Sequence, residues 1–393
     1  LNIRHRATLP RVLALATLVV GVLAPSAGAQ PGLDVDRFAA LQHELRIAPP
    51  GGVEQTLDLD AALRALHIPS VSIALIEHGD LAGARAFGDA STRTLYQAAS
   101  MSKFVAAVGA LRLVKQGRLG LDRDVNDELV SWHLPASNLT DGCPVTLRGL
   151  LSMTGGIGAP GYLGYPPGAP LPSLVQILNG APPANSPPVE VEHIPGQAYA
   201  YSGGGYEIVQ ALIQDSTRQP FAQAMQDLLL GPSGMSDSTF AQPPPATLLG
   251  RVATGHYTDG TELPGGWRVV PELAAGGLWS TPTDLARLLV IVGRAYRGED
   301  NRLLDRVMAG AMLSPQNGGP YGLGAALAGS GRGLVLMKRG QNVGYQGYLL
   351  MFPETGQGMV VMTGSDNGTT LATALLHRAA MLFHWPPLGA LLD

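Results

Sequence analysis

The sequence predicts an α/β (α+β) fold in which a mixed sheet is assembled from both ends of the chain and a helical region is inserted between them. Two patterns carry this expectation: β-rich runs gather toward the two ends, and helix-period apolar runs fill the interval. With 393 residues at 46% hydrophobic composition, the chain can bury a large core. The first strand is Val71-Ser72-Ile73-Ala74-Leu75-Ile76; the run breaks at Gly79-Asp80 and resumes from Leu81 to Phe87, which reads as a hairpin. Ser102 to Lys115 is almost uninterrupted apolar helix, ended by Gly117. A helix apolar on most sides is buried, so this one should run through the middle of the fold. A short helix follows at Thr146 to Met153. Gly155 to Pro195, rich in Pro, Gly and Tyr, reads as a long structured loop with one helical piece at Ser173 to Leu178. Further helices are expected at Tyr206 to Asp215, Phe221 to Leu230 and Thr283 to Val292, the last opened by Thr281-Pro282-Thr283-Asp284. Strands at Gly333 to Met337, Gly347 to Phe352 and Gly358 to Met362 precede a closing helix from Leu371 to Phe383.

Composition narrows the function. Charged residues make up 14%, against about 25% in ordinary globular chains. Abundant glycine (51) and proline (31) mean many turns, so long loops should surround any site. Arg4, Arg6 and Arg11 flank an apolar run from Val12 to Leu23, followed by Ala27-Gly28-Ala29, which reads as a signal peptide over residues 1–29. That run falls short of the roughly twenty residues a membrane span needs, so the mature chain is expected to carry no transmembrane segment and to be periplasmic or secreted from a bacterium. The net charge of -4 becomes more negative once the leader's arginines are gone, and no basic run exists. Nucleic acid and anionic membrane are therefore not expected as partners. Cys143 is the only cysteine, which rules out an intrachain disulfide and a thiolate metal cluster.

Chemistry concentrates at Ser100-Met101-Ser102-Lys103, where a loop enters the buried helix. A three-residue spacing at a helix start sets Ser100 and Lys103 side by side, with the serine oxygen near free N–H groups and the positive end of the helix dipole. A neutral lysine can take a hydroxyl proton if burial or nearby positive charge lowers its pKa; arginine cannot. The chain has three lysines, Lys103, Lys115 and Lys338, against twenty-three arginines, so a lysine at this position stands out. Lys338 lies in Lys338-Arg339-Gly340, within a strand-like segment.

Ser100-x-x-Lys103, Tyr201-Ser202-Gly203 and Lys338-Arg339-Gly340, in that order, resemble the three motifs of the serine β-lactamase/DD-peptidase superfamily, which holds class C β-lactamases, D-Ala-D-Ala carboxypeptidases and family VIII carboxylesterases. Leu150-Leu151-Ser152-Met153-Thr154-Gly155-Gly156, Pro195-Gly196 through Gly205-Tyr206, and Gly276-Gly277-Leu278-Trp279-Ser280-Thr281-Pro282-Thr283-Asp284-Leu285-Ala286 resemble further stretches of that family. The resemblance implies a β-lactamase-like fold: an antiparallel sheet flanked by helices, with an α/β part at about 30–110 and 245–393 and a helical part at about 111–244. It implies Ser100 as the acylated nucleophile, Tyr201 between Lys103 and Lys338 as a base, and the N–H groups of Ser100 and Gln341 as an oxyanion hole beside Gly340. Whether Lys103 or Tyr201 takes the first proton stays open at the level of sequence.

Two departures bear on substrate. Family members that bind amide side chains often carry asparagine where this chain has Gly203, and glycine offers no donor. Arg339 replaces the small middle residue of the third motif, while Lys338 keeps a cation for a substrate carboxylate. No serine stands in Gly-x-Ser-x-Gly and no histidines have zinc spacing. Gly156-x-Gly158-x-x-Gly161 follows a helix and contains Pro160, so it reads as loop glycine. The expected function is hydrolysis of small esters or amides through an acyl-serine, with no metal or cofactor. D-Ala-D-Ala carboxypeptidase and class C-like β-lactamase are the alternatives within the class, and a penicillin-binding sensor or trap that acylates without turnover is the alternative outside it.

Overall fold

A computed structural model of the protein describes residues 37–49 and 51–388, with Asn2 alone before them. Apart from that residue, the segment read as a signal peptide lies outside the described residues. The chain opens with α1 (Arg37–Leu41), a ribbon of β1 (Leu45–Ile47) and β2 (Gln55–Leu57), and α2 (Leu59–Ala65). The hairpin β3 (Ser70–Glu77) and β4 (Asp80–Gly88) follows, then β5 (Tyr96–Gln97) and α3 (Met101–Lys115). The middle carries α4 (Leu147–Leu151), α5 (Leu174–Asn179), α6 (Gly204–Thr217), α7 (Phe221–Met225) and α8 (Gly231–Ser233). Next come α9 (Leu273–Gly276), β6 (Trp279–Ser280), which pairs with β5, α10 (Pro282–Arg297) and α11 (Arg306–Met312). The chain closes with β7 (Ala326–Ala328), β8 (Val335–Asn342), β9 (Tyr345–Phe352), β10 (Gln357–Thr363) and α12 (Gly368–Leu382).

Six strands form one antiparallel sheet in the order β4-β3-β10-β9-β8-β7, so the two ends of the chain meet where β3 pairs with β10. Each central strand is buried on both faces, which is why it reads as a continuous apolar run and not as an alternating one. Successive side chains still point to opposite faces. Val71, Ile73, Leu75, Leu350, Phe352, Met359 and Val361 pack with α12, α1 and α2 on one face. Ala74, Ile76, Leu349, Met351, Val360 and Met362 pack on the other with α3 and α10.

Most strands and the long helices stand where the sequence placed them; the strand expected at Gly333 to Met337 instead runs from Val335 to Asn342, and α9, α11 and β7 were not anticipated. Residues 37–65, for which no element is expected from the sequence, form four short elements whose buried side chains include Phe38, Leu41, Leu45, Ile47, Leu59 and Leu63. The helix expected from Phe221 to Leu230 is α7 followed by a π-helical turn at Gln226–Leu230. Pro232 lies one turn beyond Leu228 and has no N–H to give its carbonyl. Arg112 of α3 donates to that carbonyl instead.

α3 is the central helix; twelve of its fifteen residues are buried, from Met101 through Leu113. Gly324 marks its close approach to the segment before β7, since a Cβ there would lie 2.6 Å from the Cβ of Ala107. Shortening Leu375, wholly buried between α12 and the sheet, should leave a cavity. Leu375→Ala should lower the unfolding free energy by about 2–5 kcal/mol in chemical denaturation. A loss under about 1 kcal/mol would contradict the packing described for that face.

Candidate active site

The loop ahead of α3 holds Ser100 at a bend. Ala98 donates its N–H to Leu278 O at 2.8 Å and accepts from Met101 N at 3.0 Å. Ala99 adopts φ +49°, a left-handed conformation that a residue with a Cβ takes at some cost. Ser100 sits at the helix N-cap without using its side chain as a cap, and among the described residues its N–H meets no acceptor. Ser102, by contrast, is fully buried and its Oγ accepts from Leu278 N at 3.1 Å, a structural role.

Lys103, from the first turn of α3, and two remote segments converge around Ser100. Lys103 Nζ donates to Ser100 Oγ at 3.1 Å and to Ala275 O at 2.8 Å. The Tyr201 hydroxyl is hydrogen-bonded to Ser100 Oγ at 2.8 Å. Lys338 Nζ reaches the Tyr201 oxygen at 3.2 Å and that of Tyr321 at 2.9 Å. Lys103 and Lys338 also stand 5.2 and 4.5 Å from the centre of the Tyr201 ring, where the ring's negative face favours a cation.

Burial alone would push the Tyr201 phenol up. The charges of Lys103 and Lys338, with hydrogen bonds from Ser100 and Lys338, outweigh it and bring the phenol down to about 7. Burial lowers Lys338 to about 8, with Lys103 adding to the effect and Tyr201 opposing it. Tyr321 touches Lys338 too, yet burial and the neighbouring phenols Tyr199 and Tyr201 hold its hydroxyl above its ordinary value. One tyrosine of the two is therefore poised to ionise near neutrality.

The third motif lies on β8, where the pleat buries Lys338 and Gly340 and exposes Arg339, so a large residue at 339 costs no core space. Arg339 Nη2 donates to Gln341 Oε1 at 3.0 Å. Only Val335–Met337 of β8 pair with β7, which leaves its outer edge open from Lys338 onward. The two-residue turn Val343-Gly344 makes Asn342 and Tyr345 a closing pair. In the alternation that follows, the N–H of Gln341 turns away from β9 and toward that open edge. Gly340 permits the approach to α3: a Cβ there would stand 2.3 Å from Ala98 O. Ser100, Lys103, Tyr201, Lys338, Arg339 and Gln341 line one cleft of about 350 Å³.

Gly203 is brought to the same corner but not as a bare gap. It has φ −75° and its N–H donates to Ala159 O at 2.9 Å. A Cβ on it would meet the Tyr162 ring at 3.0 Å and the carbonyl oxygen of Ala159 at 3.2 Å. The loop's Tyr162 thus occupies the space that a side chain at 203 would need.

Sequence reasoning missed the support behind Lys103. Glu207 and Gln210, on the buried face of α6, accept from the N–H groups of Ala275 at 3.3 Å and Ala274 at 3.0 Å. This seats α9 so that the Ala275 carbonyl faces Lys103. Burial, reinforced by Glu272, holds the Glu207 carboxyl well above its ordinary range; burial lifts Glu272 to about 7. The second oxygen of Glu207, both of Glu272 and the Tyr162 hydroxyl are buried without a partner. The only hints in the sequence were polar residues within an apolar helix, Glu207 and Gln210. Among the described residues, no three His, Cys, Asp or Glu side chains are grouped so as to hold a metal.

A serine held between a lysine and a tyrosine, on an antiparallel sheet flanked by helices, defines a β-lactamase-like architecture. The family model described as Beta-lactamase matches residues 55–381, and the chain belongs to that family. It is similar to Protein flp of Staphylococcus aureus strain MW2, 27% identical over 250 residues that make up 58% of this chain and 45% of that one. It is also similar to Esterase EstB of Burkholderia gladioli, 28% identical over 229 residues, 52% of this chain and 57% of the esterase. The chain thus spans about half the length of these curated relatives. Among solved structures, the fold is shared with the octameric penicillin-binding protein homologue from Pyrococcus abyssi: TM-score 0.67 at 22% identity over 84% of this chain and 77% of that one. It is shared too with a D-amino acid amidase from Ochrobactrum anthropi SV3 complexed with D-phenylalanine: TM-score 0.66 at 20% identity over 89% and 98%.

The shifts at Tyr201 and Lys338 set a pH profile. A phenolate is present above about 7, and the Lys338 charge that favours it is lost above about 8. Hydrolytic turnover should therefore rise through the first value and fall through the second, as a property of the coupled pair. Lys338→Met removes one cation, so the Tyr201 pKa should rise and the ascending limb should move to higher pH. An ascending limb unmoved in that variant would break the link between Lys338 and Tyr201.

Proposed function

We propose that the protein is an exported serine hydrolase that transfers an acyl group from small esters or amides to Ser100 and then to water. The observation that carries this reading is the position of Ser100 Oγ, between Lys103 Nζ at 3.1 Å and the Tyr201 oxygen at 2.8 Å. Of the two candidate bases, Tyr201 is the one whose pKa near 7 lets it accept a proton at neutral pH. Tyr201 takes the Ser100 proton as Oγ attacks the substrate carbonyl, while Lys103 Nζ holds Oγ from its other side. The oxyanion is received by the unused N–H of Ser100 and the edge-facing N–H of Gln341. Tyr201 returns its proton to the leaving group, whose bond to the acyl carbon breaks. Water then repeats the sequence on the acyl-serine, with Tyr201 again as base.

Small esters and amides without an amide side chain are favoured because Gly203, packed against Tyr162, offers no side chain to bind one. The esterase and the D-amino acid amidase among the similar proteins support the same substrate class. D-Ala-D-Ala peptides and β-lactams are the second reading, supported by Lys338 and Arg339 beside the cleft, a pair that attracts a substrate carboxylate.

A fluorophosphonate probe should label the protein at Ser100, and Ser100→Ala should abolish labelling while Ser102→Ala retains it. Tyr201→Phe should slow acylation by about 10²–10⁴-fold, the usual loss of a general base. Labelling at the wild-type rate in Tyr201→Phe would pass the role of base to Lys103. Steady turnover after the first equivalent of p-nitrophenyl ester separates a hydrolase from an acylating trap, which stops there.

Export rests on the leader pattern of Arg4, Arg6, the apolar run and Ala27-Gly28-Ala29. N-terminal sequencing of protein exported from a bacterial host should begin at Gln30. A mature product that retains Arg4 and Arg6 would contradict export by cleavage.

A further inference from the structure

The cleft around Ser100 does not end at Asn342. A second pocket shares Gly161 and Tyr162 of the long loop and Gln341 and Asn342 of β8 with it, so the two are halves of one groove. Their electrostatics are opposite. The Ser100 half carries Lys103, Lys338 and Arg339 and no carboxylate. Among the groups lining the far half, the one acid is Asp366, and neither lysine nor arginine nor histidine accompanies it.

Asp366 follows β10 and faces the β8–β9 turn. Its Oδ1 accepts from Gly344 N at 2.7 Å. Among the described residues it forms no ion pair. His256, whose carbonyl accepts from the N–H of Asp366 at 2.9 Å, engages its ring elsewhere: its Nδ1 faces the carbonyls of Thr254 and Gly364 and its Nε2 lies 4.0 Å from Glu262. Burial pushes the Asp366 carboxyl up, the mark of a negative charge without a compensating cation. Thr258, Gln346 and Asn342 add polar groups to the same pocket.

We propose that Asp366 marks a second substrate subsite that takes a protonated amine, so that the groove fits a substrate with an ammonium group at one end and its scissile carbonyl, beside the cationic cluster, at the other. This deepens the hydrolase reading and rests on it. Gly344, the partner of Asp366, belongs to the turn that directly follows Gln341 and Asn342, so the acid lies just past the end of the strand that lines the Ser100 cleft. Carboxylate and ammonium exchange two solvated charges for one charge-assisted hydrogen bond, and the pairing weakens with salt where the pocket meets solvent.

A structural role would account for Asp366 differently, since its Oδ1 already pins the turn. Asp366→Asn separates the two, because the amide oxygen can still accept from Gly344 while the charge is gone. Two series of fluorophosphonates are compared, with flexible tails of matched, graded length ending in a primary ammonium or in an isosteric hydroxyl. The native protein should label with the ammonium probe about ten- to a hundredfold faster, the range of a hydrogen bond to a charged group. Salt should shrink the ratio. Asp366→Asn should bring it close to one while the hydroxyl probe reacts as before. Equal rates in the native protein, or an Asp366→Asn variant that slows both probes alike, would overturn the subsite while leaving the hydrolase reading intact. Absence of labelling by either probe would overturn both.

Discussion

Two buried ammonium groups share one phenol, and the site depends on that sharing. Lys103 and Lys338 are each only 2% exposed, and neither has a carboxylate ion-pair partner among the described residues. Removing such ions from water costs several kcal/mol apiece unless something close by compensates. Tyr201 does so in two ways: its ring faces both cations, and its oxygen can carry the charge they favour. Ser100 enters as the group through which Tyr201 and Lys103 meet. The nucleophile is thus part of the arrangement that makes the buried charges tolerable.

The fold keeps that arrangement together by bringing backbones unusually close. The start of α3, the segment from Tyr199 to Gly203 and the edge of β8 are far apart in sequence. Gly340 lets β8 approach the carbonyl of Ala98, and Ala99 takes a left-handed conformation to turn Ser100 into the cleft. The second motif is held from the opposite side. Ala200 donates to Met153 O at 2.8 Å, and Ser202 Oγ donates to Gly158 O at 2.7 Å, so the long loop braces Tyr201. The strain at Ala99 is offset by the hydrogen bonds of Ala98 and by a largely buried helix behind it.

Much of this was legible in the sequence because it repeats over many residues or depends on spacing. Strands buried on both faces advertise themselves as apolar runs, and α10 is announced by Thr281, whose side chain accepts from Asp284 N as an N-cap. Ser100, Lys103, Tyr201 and Lys338 were legible as motifs. What escaped works through backbone or through loops. The Ala275 carbonyl has no signature, Glu207 and Gln210 act on α9 by holding its N–H groups, and Tyr321 is one tyrosine among eleven. Gly203 was legible as a missing donor, but the ring of Tyr162 that takes its space comes from a loop whose path no periodicity describes. The elements of residues 37–65 are too short to set a period of their own.

The ionisation of Tyr201 can be observed without any substrate. In protein labelled with carbon-13 at the tyrosine ring carbon bonded to oxygen, a pH titration followed by NMR reports each phenol separately. One resonance, absent from Tyr201→Phe, should move through a midpoint near 7, as two flanking ammonium groups require, while that of Tyr321 stays unshifted across the same range. If every tyrosine resonance held still until pH approached the ordinary phenol value of about 10, the two lysines would not be sharing a phenolate and the account of the site would fail.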